Sequence, residues 1–279
     1  MIRNIKDCVV LNNGVHMPSF GLGTYKMTHS QETNDAVKVA MKHGYRLIDT
    51  ASFYDNEEEI GTAIEESGMK REDIFVTTKV WNSEQGYDET IKAFERSRKK
   101  LGIEYIDLYL IHWPVPGKYI DTWKALEKLY KDGSVRAIGV CNFHIHHLQD
   151  IMENSEVVPV VNQVEYHPYL QQPELHSFCK EHNIFIEAWA PLMRGKVFDN
   201  SIIQGLSMKY NKTPAQITLR WEIQNEIITI PKSSNERRII ENANIYDFNL
   251  TEEEMKQMAN LDKNERTGYD PDKFPYDKM

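Results

Sequence analysis

The strongest constraint on this chain is an alternation. Eight short apolar runs, at residues 20–22, 47–48, 74–78, 106–111, 136–140, 160–164, 184–189 and 227–230, are each separated by enough chain for a crossover helix. Several runs are apolar nearly throughout, as parallel strands covered on both faces must be. Between them, Ile91, Phe94 and Leu101 recur at helical spacing, and so do Trp123, Leu126 and Tyr130. Eight such units in 279 residues fit a (β/α)8 TIM barrel, an α/β fold that takes residues 1–279 as a single domain. A doubly wound sheet would need G-x-G-x-x-G after its first strand, and Gly21-Leu22-Gly23-Thr24-Tyr25-Lys26 lacks the third glycine. The barrel is the expected fold.

Ahead of the first unit, apolar residues 8–11 and 15–17 flank Asn13-Gly14, a two-residue hairpin signal. An N-terminal β-hairpin plugging one end of the barrel is expected. The long stretch 201–225 predicts two helices, with Thr213-Pro214 opening the second. From Asn264 onward the chain is rich in Asp, Lys, Pro and Tyr and reads as irregular tail lying over a surface.

Charge and composition exclude several classes. The 33 basic against 42 acidic residues give −9, which argues against nucleic acid or anionic membrane as partner. No apolar run approaches the ~20 residues of a membrane span, and the start MIRNIKDCVV lacks the build of a signal peptide. Cys8, Cys141 and Cys179 are odd in number and far apart, so neither a disulfide framework nor a zinc knuckle is indicated. A soluble, cytoplasmic monomer is the expectation.

The stretch RLIDTASFYDNEEEIGTAI, residues 46–64, points to where the chemistry lies. A short apolar run ends on Asp49, Tyr54 follows in a polar connection, and a helix starts near Asn56. Glu57, Glu58 and Glu59 suit the positive end of its dipole, and Ile60, Ile64 and Ser67 form its inner face. Two more ionisable side chains, Lys79 in TTKVW and His112 in LIHWP, also follow apolar runs. All four therefore reach the C-terminal rim of a parallel barrel, where such folds keep their active sites. Singly, a strand-end Asp is a helix cap and a lone Lys or His a satisfied polar residue. Four converging at consecutive strand ends outweigh that reading.

In order along the chain, GLGTYK, IDTASFYDNEEEIG, TTKVW, DLYLIHWP, GVCNF, NQVEYHP, EAWAPL and IPKSSNERRIIEN resemble the aldo-keto reductases over essentially the whole length. The chain resembles bacterial members of the diketogluconate and methylglyoxal (glyoxal) reductase type. The resemblance implies an NADPH-dependent oxidoreductase that reduces aldehydes and ketones, small dicarbonyls or sugar-derived ketones, with catalytic Asp49, Tyr54, Lys79 and His112; the alternative is a non-catalytic, cofactor-loaded binding protein of the same fold, against which the intact set of four speaks. The residue types suit that reaction, which needs a proton for the developing alkoxide. A free phenol has a pKa of about 10. Lys79 beside Tyr54 is expected to lower it, Asp49 to hold the ammonium, and His112 to orient the substrate oxygen. No metal is required, because these donors do the polarising.

By the same resemblance, Cys141, Asn142 and Gln163 meet the nicotinamide carboxamide and Trp189 stacks on the ring. Gly23, Thr24, Pro191 and Leu192 complete that side of the cofactor site. Lys232, Ser233, Ser234, Arg238, Glu241 and Asn242 are implied at the adenosine 2′-phosphate and adenine, where cations, hydroxyls and a helix start suit a phosphate. Many members carry Ser in place of Cys141, and many animal members Tyr in place of Trp189. The implied substrate pocket is walled by Tyr25, Phe53, Trp81, Trp113, His112 and part of the tail. A short 113–121 connection and a short tail imply an open pocket for small or varied carbonyls. The remaining cluster, His144, His146 and His147, has no carboxylate or thiol nearby in sequence and is not read as a metal site.

Overall fold

The computed structural model describes residues 2–27 and 30–276. Two short strands, β1 (Cys8–Val10) and β2 (His16–Pro18), pair antiparallel and precede eight parallel strands. These are β3 (Gly21–Gly23), β4 (Leu47–Asp49), β5 (Phe75–Val80), β6 (Ile106–Ile111), β7 (Val135–Cys141), β8 (Val161–Glu165), β9 (Phe185–Trp189) and β10 (Ile228–Thr229). Each pairs with the next in sequence, and parallel bridges Phe20–Thr229 and Gly23–Lys232 join the last to the first. The barrel is therefore closed. Gly23 allows that closure: a Cβ there would lie 2.6 Å from the Ile230 carbonyl oxygen.

The helices fall where the periodicity predicts. α1 (Ser30–Lys42), α2 (Glu57–Glu66), α3 (Tyr87–Leu101), α4 (Tyr119–Lys131), α5 (Ile145–Asn154) and α6 (Pro173–Glu181) follow β3 to β8 in turn. After β9 come α7 (Ser201–Tyr210) and α8 (Pro214–Gln224), the second opened by a Thr213–Gln216 capping box. After β10 come α9 (Glu236–Ala243) and α10 (Glu252–Ala259). Glu57, Glu58 and Glu59 fall in the first turn of α2 as expected, and Glu57 is in addition buried and accepts a 2.7 Å hydrogen bond from Thr78 Oγ1.

The hairpin closes the N-terminal end of the barrel, but its loop differs from the expected two-residue turn. Leu11 and Val15 are hydrogen-bonded, so Asn12, Asn13 and Gly14 form a three-residue loop, with Gly14 at φ 84°. A second reason for that length is anchoring. Asn12 Nδ2 donates to the carbonyls of Pro159 and Asn183, and Asn13 Nδ2 to that of Arg136. Leu11 and Met17 then pack with Leu47, Phe75, Leu108, Val161 and Ile228 inside the barrel.

Strand alternation explains why polar side chains occupy the upper interior. Leu47, Phe75, Leu108, Ala137, Val161 and Phe185 belong to the interior cluster, whereas Ile48, Val76, Tyr109, Ile138, Val164 and Ile186 pack outward against the helices. Side chains two or four positions beyond an inward residue also point inward. Asp49 follows Leu47, Lys79 follows Phe75, His112 follows Leu108, Cys141 follows Ala137, Gln163 follows Val161, and Glu187 and Trp189 follow Phe185. The strand carrying Lys79 also runs further than the 74–78 expected, so Lys79 lies within a six-residue, wholly buried strand.

Candidate active site

At the floor of the upper interior, Lys79 Nζ donates to Asp49 Oδ1 at 2.7 Å and to the Thr50 carbonyl at 2.8 Å. Both side chains are almost completely sealed from solvent. Burial alone would strip Lys79 of its proton, but the adjacent Asp49 carboxylate outweighs it and raises the ammonium pKa. The ammonium also lies 5.1 Å from the centre of the Tyr54 ring, which a one-turn helix at Ser52–Tyr54 delivers over the floor. Here the expected direction reverses. Burial raises the Tyr54 phenol above its ordinary range, and the Lys79 charge only restrains that rise. His112, just past β6, meets Tyr54 edge-on with ring centres 5.7 Å apart. Its pKa is well lowered, by burial first and by Lys79 second, so the imidazole is neutral.

A second polar group adjoins this floor from β7, β8 and β9. Gln163 Nε2 donates to Asp49 Oδ2 and to Glu187 Oε2, both at 2.8 Å. Only an NH2 can serve two carboxyl groups, so the amide orientation is settled and Oε1 is the acceptor. Asn142, at φ 63°, donates through Nδ2 to the His112 carbonyl at 3.0 Å and accepts the Trp189 indole N–H at 2.8 Å. Cys141 lies between them, 3.7 Å from Gln163 Oε1, with its thiol pushed up by burial.

These groups open into a cavity of about 1100 Å³. Phe53 and Trp81 stack at 3.8 Å on one wall, Tyr25 leans on Tyr54 at 5.0 Å, and Trp113 packs on Phe274 of the tail at 4.3 Å. Gly23, Thr24, Pro191, Leu192 and Lys232 also line it. Thus Asp49, Tyr54, His112, the amide group and the expected aromatic walls share one space, while Lys79 does not line it and lies buried against Asp49.

A family model described as "Aldo/keto reductase family" matches residues 19–263. The chain belongs to the aldo/keto reductase family. It is 53% identical over 274 residues to glyoxal reductase of Bacillus subtilis, covering 98% of this chain and 99% of that protein. It is 54% identical over 271 residues to the 9,11-endoperoxide prostaglandin H2 reductase of Trypanosoma cruzi, covering 96% of each. Among solved structures, a Gox0644 variant in complex with NADPH matches with a TM-score of 0.91 at 45% identity, over 95% of this chain and 97% of that one.

Not every expected residue of this aldo/keto reductase reaches the cavity. Ser233, Ser234, Arg238, Glu241 and Asn242 do not line it; they lie beyond Lys232 on the loop after β10 and on α9. The cap of α9 is Asn235, whose Oδ1 accepts the Arg238 backbone N–H at 3.1 Å. Ser233, mostly buried, bonds within the loop to Asn235. Lys232, Arg237 and Arg238 are exposed and form no ion pair among the described residues.

Other residues were not foreseen. Arg194 brings an exposed cation to the cavity lining from a loop in which Ala190, Met193 and Arg194 all take positive φ. Nothing in the local sequence signals that geometry. The tail is more firmly held than irregular chain lying over a surface. Glu165, buried at the end of β8, accepts from the backbone N–H groups of Thr267 at 2.6 Å and Gly268 at 3.1 Å, and from the Thr267 hydroxyl. Gly268 then sits flat on Trp189, where a Cβ would come within 2.5 Å of the indole. An acid inside the apolar strand of NQVEYHP was the available signal.

The histidine cluster also acquires partners that sequence distance hid. His144 Nε2 lies 3.0 Å from Asp270 Oδ1, and His146 and His147 lie 3.2 and 3.6 Å from Asp272 Oδ1. The cluster has no carboxylate nearby in sequence, but the distant tail supplies two, Asp270 and Asp272. His147 Nδ1 meanwhile accepts the His144 backbone N–H at 3.1 Å, which leaves its Nε2 as the protonated nitrogen facing Asp272. As built, the cluster is a set of polar contacts that docks the tail on the start of α5.

Proposed function

We propose that this chain is an NADPH-dependent reductase of small aldehydes and ketones, with dicarbonyls such as methylglyoxal as its substrate class. The observation that carries this reading is the meeting of Tyr54, Asp49 and His112 on the floor of an aromatic-walled cavity, with Lys79 buried beneath them and bonded to Asp49. Relatives named as glyoxal and prostaglandin H2 reductases, and an NADPH-bound structural neighbour, support it.

The residues present fit NADP(H). Gln163 Oε1 is an acceptor suited to a carboxamide NH2, and Trp189 offers an indole face. Lys232, on the loop before α9, and Arg238, in its first turn, form no ion pair among the described residues, which suits a 2′-phosphate at that helix start. With them, Gly23, Thr24, Cys141, Asn142, Pro191, Leu192, Ser233, Ser234, Glu241 and Asn242 would hold the cofactor. NADPH, when bound, supplies the hydride that the carbonyl carbon takes up.

The chain's own residues supply the rest. Tyr54 gives its hydroxyl proton to the oxygen as it becomes an alkoxide, and its raised pKa keeps that proton in place at neutral pH. Lys79 stabilises the phenolate that results, and Asp49 holds Lys79. His112 Nδ1 is buried with no partner among the described residues. A bare lone pair is better tolerated there than an orphaned N–H, so the imidazole proton sits on Nε2. From there it donates to the substrate oxygen. Tyr25, Phe53, Trp81 and Trp113 exclude water and shape the site.

The test is oxidation of NADPH by the purified chain with methylglyoxal, with and without a chelator, followed by kcat/KM across a carbonyl panel. Chelator-insensitive turnover is expected. Failure to oxidise NADPH with any aldehyde or ketone of the panel would sink the reading.

A further inference from the structure

Glu187 has no part in the chemistry above, yet it lies directly beneath it. It is fully buried on β9, on the same inward face as Trp189 and two positions lower, a rise of about 6.6 Å. Its Oε2 accepts from Gln163 Nε2 at 2.8 Å, while Oε1 has no partner among the described residues. Among the described residues no ion pair joins it, and the Lys79 ammonium donates to Asp49 and the Thr50 carbonyl. Its neighbours in the sheet are Gln163 on β8 and Ile228 on β10. The ionisable groups facing it across the interior are Asp49, Lys79 and Cys141, with Tyr54 beyond them.

Two carboxyl groups therefore share one amide and one ammonium, and the ammonium serves only the other. An anion at Glu187 would be buried without a counter-charge, which favours the neutral acid. Burial first and the Asp49 charge second push its pKa up to about 8, against the pull of Gln163 and Lys79.

We propose that Glu187 is a neutral acid in the free protein and gives up its proton when an oxidised, positively charged nicotinamide occupies the Trp189 and Gln163 side of the cavity. This rests on the NADP(H) reading above. The bond that breaks is the carboxyl O–H; the proton goes to the buffer, and the carboxylate keeps its hydrogen bond from Gln163. A positive charge roughly 10 Å away in the protein interior changes a proton affinity by about tenfold. The oxidised cofactor thus gains a counter-charge on binding, whereas the reduced, uncharged ring gains none. Glu187 thereby sets how tightly the two redox forms bind relative to one another.

Proton release is counted by titration calorimetry with NADP+ and with NADPH in buffers of different ionisation enthalpy. Both cofactors carry the 2′-phosphate, which titrates near ~6, so its contribution cancels in the difference. About half a proton more is expected on NADP+ binding than on NADPH binding at pH ~7.5, and no difference in Glu187→Gln. NADP+ affinity relative to NADPH affinity should rise about tenfold from pH ~6 to ~9, and that ratio should stay level over the range in the variant. Infrared difference spectra of the unaltered protein give a measure that needs no variant. Loss of a protonated-carboxyl band on adding NADP+, and not NADPH, is expected, and its absence overturns the proposal. An undiminished release in Glu187→Gln also overturns it. Binding of both cofactors without a difference overturns the role of Glu187 and leaves the reductase reading standing; binding of neither overturns both.

Discussion

Lys79 Nζ sits 2.7 Å from Asp49 Oδ1 at the bottom of the cavity, and almost none of either side chain reaches solvent. A buried pair of this kind is costly to break from one side, because the surviving charge loses its partner. Lys79→Met is expected to lower unfolding stability by about 3–5 kcal/mol. The double variant Asp49→Asn, Lys79→Met should recover most of that loss and remain inactive. Urea unfolding of the two variants decides the matter. Equal stability of both would mean that Asp49 is not charged at neutral pH.

Tyr54→Phe keeps the ring against Tyr25 and His112 and removes only the hydroxyl. A fall in kcat of roughly 10²–10⁴ is expected, with NADPH affinity nearly unchanged. The raised pKa of this phenol sets the pH dependence. An acid whose folded pKa is raised stays protonated below its ordinary value, so any basic limb due to Tyr54 lies above 10.0. A basic limb near neutrality that disappeared from the residual activity of Tyr54→Phe would overturn this assignment.

How much of this was readable in advance differs by residue. Asp49, Lys79 and His112 stand at the ends of apolar runs, and a parallel barrel brings all such ends to one rim. The closed sheet and the paired helices α7 and α8 followed from period and length alone. What eluded the sequence depends on contacts between distant segments. Glu165 meets Thr267 across 102 positions, and His144 meets Asp270 across 126, and no local pattern couples them. The electrostatics were harder still. The charge of Lys79 predicts a lowered Tyr54 pKa, but only the packed cavity reveals that burial is the larger effect. Arg194 was invisible because its position comes from left-handed backbone at three non-glycine residues, Ala190, Met193 and Arg194 itself.

Cofactor choice can be tested on α9, where Arg237 and Arg238 are both exposed and adjacent. Successive helical residues point about 100° apart, so a phosphate at the helix start meets one of them. Arg238→Ala is expected to weaken NADPH binding by roughly tenfold or more, the loss of one charge-assisted contact, and to leave NADH binding almost untouched. Arg237→Ala should do little to either. Fluorescence titration with both cofactors reads the difference. Equal losses for NADPH and NADH in Arg238→Ala would leave Arg238 a structural residue.

The attachment of the tail is a separate matter from the chemistry, and Glu165 controls it. Burial acts to raise its pKa, but hydrogen bonds from His167, from the Thr267 hydroxyl and from the Thr267 and Gly268 amides outweigh it and lower the value. A carboxyl with a depressed folded pKa contributes stability that is present above its ordinary value of 4.5 and lost as pH falls through the folded value. The tail should therefore stay docked through mild acid and release only below that range. Glu165→Gln keeps the shape but removes the charge behind three tail contacts, each worth about 1.5–3 kcal/mol when the acceptor is ionised. Gly268 would then lift from Trp189, and Phe274 from Trp113, opening one side of the cavity. The expected signature is faster amide hydrogen exchange at Thr267 and Gly268 and a raised KM for carbonyl substrate, with kcat changed little. Unchanged exchange at those two amides in Glu165→Gln would show that the aromatic contacts and the His144–Asp270 bond hold the tail without it.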